Sequence, residues 1–348
     1  MELSNKPYLT TRSINPENQE TPIKFLKTET IPTTYFFRRN HFQYPTILND
    51  NFFLPITGQV KMPIVFQYSQ IVQMETTAIK CFLECAGNKR SKFNPPVFGE
   101  QWEEGAISQG EWKGISLSCL LEITGIAADA REVVFVGYDY GKQEDIEHHI
   151  PFARSLPLEK AIHPDTIIAY EYNGRPLTYK HGFPFRLIVP GWYGMASVKW
   201  LKKIILIDDT FKGPFQTDDY VYYPKLSDPY PVTMVNVNSL IQKPLDYEII
   251  DEGVTLIEGI AWSGESEVTN VDISFNGQQW VDAILIGETL DKTNRWTKWK
   301  FHWNAPKGEH TIYCRASDSK GRKQPLEPMW NKKGYGYNAI TKIRVKVK

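Results

Sequence analysis

The sequence predicts an α+β protein: a mixed α/β domain over residues 1–228, then an all-β immunoglobulin-like sandwich over residues 229–348. Three observations carry this. A chain of 348 residues is longer than one small core accommodates. Up to residue 228, strand-like apolar runs alternate with short helical patterns. Beyond it, short alternating strands follow one another with no helical periodicity.

Residues 1–30 are polar and read as an extended lead-in. From Tyr35 onward, VVFVGYD (133–139), TIIAYEY (166–172) and FRLIVPGWYG (185–194) read as strands. SLSCLLEITG (116–125) sets Leu117, Leu120 and Leu121 on one helical face, and Gly125 suits its C-terminal cap. A second helix is expected to begin at Ser155, with Pro157 in its first turn and Leu158, Ala161 and Ile162 inward. Asp228-Pro229-Tyr230-Pro231 reads as a stiff linker. After it, VDISFNGQQW (271–280) points Val271, Ile273 and Phe275 inward and turns at Asn276-Gly277. WKFHW (299–303), HTIYCRASD (310–318) and ITKIRVKVK (340–348) alternate in the same way, which suggests the sandwich.

The 40 basic and 40 acidic residues cancel, so no global field favours nucleic acid or a membrane, and any anion site must be local. No apolar run reaches membrane-spanning length. Four cysteines (Cys81, Cys85, Cys119, Cys314) do not make a disulfide framework, and Cys-x3-Cys is not a structural zinc pattern. The amino terminus has neither a signal-peptide apolar stretch nor a twin-arginine leader, so a cytoplasmic location is expected.

Four stretches could carry chemistry. In LECAGNKRSKF (83–93), Cys85 stands beside Gly87, Lys89 and Arg90. Thiolate binds soft metals and nearby cations favour it, although a core thiol is the other reading. RRNH (38–41) offers Arg39 as a bidentate oxyanion donor, or else a solvated turn. KHGFPFRLIVPGWYGMASVKW (180–200) gathers His181, Arg186 and Lys199 among Gly and Pro, a loop suited to an anionic cofactor. QTDDYVYYP (216–224) sets Tyr220 beside two carboxylates, as a phenol donor or as an ordinary surface tyrosine.

Together with WEEGAISQGEWKGISL (102–117) and WNKKGYGYNAITKIRV, these motifs resemble the sulfite oxidase family of molybdenum enzymes, from about Tyr35 to the last residue. The resemblance implies a mononuclear molybdenum held by one molybdopterin and by Cys85. It implies cofactor contacts at Asn40, His41, Asp139, His181, Arg186, Ser197, Val198 and Lys199. A cationic substrate pocket would be made by Arg39, Arg90 and Tyr220, with Lys333 standing where vertebrate members place an arginine. Lys keeps the charge there but loses the fork. Lys89 replaces another arginine of the same motif.

The activity implied is oxidation of sulfite to sulfate by oxygen-atom transfer. This chain contains no haem domain and no CxxCH, so electrons would pass to a separate acceptor such as a cytochrome or dioxygen. The C-terminal domain resembles the family's dimerisation domain, which implies a homodimer. The alternative is a reductase on the same fold, acting on protein methionine sulfoxide or on nitrate. The methionine sulfoxide reductases lack the C-terminal β domain, and the plant nitrate reductases carry haem and flavin modules.

Overall fold

The computed structural model describes residues 8–47, 52–143, 146–224, 228–287 and 293–348. The chain is predominantly β, because its apolar runs are short, β-branched and buried on both faces. The longest helix among the described residues is Leu117–Thr124, which buries Leu117, Leu120 and Leu121 and ends at Gly125 with φ 68°. The second expected helix shrinks to Leu158–Ala161. Ser155 instead belongs to the strand Ile146–Pro157, whose residues Phe152–Leu156 are all buried and therefore stay extended. Of FRLIVPGWYG, only Arg186–Ile188 is strand.

Two five-stranded sheets organise the N-terminal region. The first orders Arg175–Pro176, Ile167–Tyr172, Ile107–Ser116 and Thr77–Glu84, with Arg186–Ile188 paired on Ile167–Tyr172. The second orders Ile64–Gln67, Phe53–Gly58, Leu201–Ile207, Glu132–Gln143 and Ile146–Pro157. The amino-terminal segment is no loose lead-in: Thr10–Ile14 and Glu17–Glu20 form a hairpin. Buried Asn18 bonds Glu100 and the backbone of Asn40, and buried Glu20 accepts from the amides of Glu103 and Gly105. Its polar residues are consumed by the fold, which composition alone did not reveal.

The proline-rich connection is also paired, since Tyr230–Pro231 bridges back to Val221–Tyr222. Beyond it a four-stranded sheet (Asn238–Lys243, Gly253–Trp262, Thr297–Ala305, Ile284–Ile286) and a five-stranded one (Glu248–Ile250, Thr341–Val347, Gly308–Asp318, Val268–Ser274, Val281–Asp282) enclose a core of Val271, Ile273, Trp299, Ile312 and Ile343. The Asn276-Gly277 turn is where the sequence put it, with Gly277 at φ 73°. Leu240, Ile260 and Trp262 pack into the N-terminal core, so the two regions share apolar surface.

Candidate functional site

Cys85 follows the strand Thr77–Glu84 directly, and its amide bonds the carbonyl of Ala106 at 2.9 Å. Gly87 and Gly99 let the chain wrap the Arg90 guanidinium, because a Cβ at either would come within 2.8 and 2.9 Å of it. Burial raises the thiol pKa above its ordinary value, outweighing the opposite pull of Arg39 and Arg90. The expected depression by neighbouring cations therefore does not prevail. Lys89 takes no part: its buried amine turns to Asn238 Oδ1 at 2.7 Å, the Ser239 carbonyl at 2.8 Å and Thr341 Oγ1 at 3.3 Å.

One cleft gathers Cys85 with Arg39, Asn40, His41, Asp139, His181, Arg186, Ser197, Val198, Lys199 and Tyr220. Arg90 and Lys333 are not in its lining. Arg90 lies in the adjoining wall, where Nε donates to the carbonyls of Lys333 (3.2 Å) and Gly334 (3.3 Å) and Nη1 to that of Glu100 (3.0 Å). Lys333 Nζ lies 3.6 Å from Asp219 Oδ1.

Around Tyr220, His41 Nε2 stands 2.6 Å from the phenol oxygen, and His41 Nδ1 stands 3.8 Å from Asp219 Oδ2. Burial, reinforced by Arg39 and Arg154, holds His41 well below its usual pKa, so the ring is neutral. Burial works against the Arg39 charge, but the Tyr220 and Cys85 groups beside it keep its pKa above the ordinary value. Burial likewise raises the Tyr220 phenol, against Arg39.

At the other end, His181 Nε2 faces the Thr33 carbonyl at 3.1 Å, so a neutral ring carries its proton there and leaves Nδ1 to accept. Arg186 Nη1 donates to the His181 carbonyl at 3.3 Å, and its guanidinium lies 5.1 Å from the Trp112 ring centre. Burial pushes Arg186 down to about 10. Lys199 Nζ donates to Asn40 Oδ1, and Ser197 Oγ accepts from the Val189 amide at 3.1 Å. Asp139 is pushed up to about 7 by burial, with Lys199 pulling the other way.

Asp139 Oδ1 and Arg186 Nε are both buried and have no hydrogen-bond partner among the described residues. Unpaired buried donors and acceptors on residues that line one cleft fit a ligand with anionic and heterocyclic polar groups, such as a phosphorylated pterin. Among the described residues no three His, Cys, Asp or Glu side chains meet at a point, so a metal here would take Cys85 and draw its other ligands from the cofactor. The residues present fit molybdenum bound to molybdopterin.

Sequence reasoning missed Arg154, Tyr335, Phe152 and Asp219. Phe152 stacks on His41 at 5.3 Å, and Tyr335 stacks on Tyr220 at 5.2 Å. Arg154 had one signal, a lone charge within the apolar run IPFARSLP.

A family model described as the oxidoreductase molybdopterin binding domain matches residues 41–215, and one described as the Mo-co oxidoreductase dimerisation domain matches residues 229–348. Mitochondrial sulfite oxidase of Rattus norvegicus is 32% identical over 98% of this chain, which spans 66% of that relative's length. NADH nitrate reductase of Ulva prolifera is 28% identical over 90% of this chain and 40% of its own. Among solved structures, the sulfane dehydrogenase SoxCD of Paracoccus pantotrophus superposes with a TM-score of 0.83 at 26% identity, covering 99% of this chain and 87% of that one.

Proposed function

The chain belongs to the sulfite oxidase family of molybdopterin-dependent oxidoreductases, and on that premise we propose that it oxidises sulfite to sulfate and passes the electrons to a separate acceptor. The observation that carries this reading is the meeting of one buried thiol, Cys85, with Arg39, His41 and Tyr220 in a single cleft. When bound, the molybdenum–molybdopterin group supplies two-electron oxygen-atom transfer.

The chain's own residues do the rest. Arg186, Lys199, His181, Asp139 and the backbone around Asn40, Ser197 and Val198 hold the pterin and its phosphate. Cys85 gives up its proton when it takes the metal, since only thiolate ligates. Arg39 draws in the sulfite anion, and Arg90 and Lys333 add positive potential from the adjoining wall.

Sulfite and water yield sulfate, two protons and two electrons, so protons must leave the cleft. The Tyr220 oxygen can accept a proton from the cleft while its own O–H passes to His41 Nε2. Asp219 beside Nδ1 then leads outward. The division at residues 228 and 229, an immunoglobulin-like C-terminal sandwich and a homodimer formed through it complete the proposal.

Sulfite-dependent ferricyanide reduction by purified, molybdenum-loaded protein tests the reading. Turnover supports it. Its absence, with methionine sulfoxide or nitrate reduced by reduced viologen, would replace it with a reductase. The likeness to a sulfane dehydrogenase makes a sulfane-sulfur anion the second substrate class to assay.

A further inference from the structure

Arg154 is 1% exposed, yet no carboxylate lies within ion-pair distance of it among the described residues. Nη1 donates to the carbonyl of Phe215 and Nη2 to that of Val232 at 3.5 Å, while Nε has no partner among the described residues. A buried, uncompensated guanidinium is costly, and burial pushes this one down to about 10. Such a charge persists in a fold where its field acts on something.

What it faces is the Tyr220–His41 end of the cleft. Residues two apart on a strand share a face, so Phe152 and Arg154 project the same way from Ile146–Pro157. Phe152 packs on His41, and Arg154 Cζ lies 5.5 Å from the Tyr220 ring centre. Tyr220 stacks on Tyr335 at 5.2 Å, and Arg90 Cζ lies 5.0 Å from the Tyr335 ring centre. Arg154, Tyr220, Tyr335 and Arg90 thus form one chain of cation and aromatic contacts joining the N-terminal region to residues near the C-terminus.

We propose that Arg154 is the positioning residue of the Tyr220–His41 pair, fixing the segment Phe215–Tyr220 through its carbonyl contact and lending the oxyanion cleft a positive charge from behind. The clause about the cleft rests on the sulfite reading above. Burial first and Arg39 next keep His41 neutral, and the Arg154 charge adds to them with Lys199 and Arg90, against Asp219 and the Tyr220 phenol. A neutral His41 is what leaves Nε2 open to the Tyr220 proton.

Arg154→Gln and Arg154→Lys separate charge from carbonyl stapling, because both can donate to a carbonyl and only Lys keeps the charge. In holoenzyme of matched molybdenum content, Arg154→Gln should raise KM for sulfite about tenfold. It should also move the acid limb of kcat/KM to higher pH, while Arg154→Lys stays close to the parent. Equal behaviour of the two variants would reduce Arg154 to a staple and overturn the proposal. Carbon-13-labelled histidine NMR reads the same effect without substrate: the His41 midpoint should rise by about one pH unit in Arg154→Gln and hold in Arg154→Lys. If sulfite is not the substrate, the NMR result still stands and only the sulfite reading falls. Should Arg154→Gln not fold, the parent protein decides, because a His41 that titrates near its ordinary value overturns the proposal.

Discussion

His41 Nε2 lies 2.6 Å from the Tyr220 oxygen, and these two residues are 179 positions apart in the chain. With His41 neutral and its Nδ1 turned toward Asp219, the phenol donates and the imidazole accepts. Replacing Tyr220 by Phe keeps the ring stack and deletes the relay. Its kcat should fall about 10- to 100-fold, with the larger effect on kcat than on KM, measured by steady-state sulfite oxidation. Protonated His41 cannot accept. Because burial and Arg39 hold its pKa well below the usual 6.5, activity should stay level through mildly acidic pH and decline only below that.

Cys85→Ser removes the one thiol in the cleft while preserving its volume. The variant should express and melt like the parent but carry little molybdenum, as read by metal analysis of the purified protein. Full molybdenum content in that variant would refute the assignment of Cys85.

Asp219 sits between two groups of the site, 3.6 Å from Lys333 and 3.8 Å from His41. Its carboxylate competes with an incoming anion for Lys333. Asp219→Asn should therefore tighten inhibition by sulfate, about two- to fivefold, since partly exposed pairs are weak. The gain should vanish in the Asp219→Asn/Lys333→Ala double variant.

Glu84 gives the apoprotein a pH-dependent stability. Its carboxylate accepts from Asn88 and from Trp262 Nε1, each at 2.9 Å, yet burial raises its pKa to about 7 from the ordinary 4.5. Between those values the folded state binds more protons than the unfolded one, so stability falls as pH rises, by at most about 3 kcal/mol from this group. Lys89 runs the other way at higher pH: burial lowers it to about 8 from 10.5, so stability recovers as pH climbs between the two. Denaturant melts from pH 4.5 to 7 should show a shallower slope in Glu84→Gln.

Much of the cleft was legible because its residues come in compact motifs: RRNH, CAGN, and the HGFP to VKWL stretch each deliver two or more lining residues. What escaped depends on distance and on burial. Tyr335 and Tyr220 are in different motifs and meet only through folding. Arg154 announces itself as a charge in an apolar strand, but nothing local says which ring it faces. The balance at the Cys85 thiol was not legible, because sequence displays the neighbouring cations and hides the desolvation that outweighs them. The second helix begins at Leu158 rather than at Ser155 for a similar reason, since strand pairing with Glu132–Gln143 claims the residues up to Pro157.

The loop that carries Cys85 is finished by residues from the far end of the chain. Glu84 meets Trp262, the Ala86 carbonyl accepts from the Gly336 amide at 2.8 Å, Lys89 reaches Asn238 and Thr341, and Arg90 holds the carbonyls of Lys333 and Gly334. During synthesis, a nascent chain stopped anywhere before residue 341 therefore lacks part of the frame around its thiol. Metal loading is therefore expected to follow, not precede, the folding of the C-terminal strands, since a chain lacking them offers the cofactor an unfinished seat.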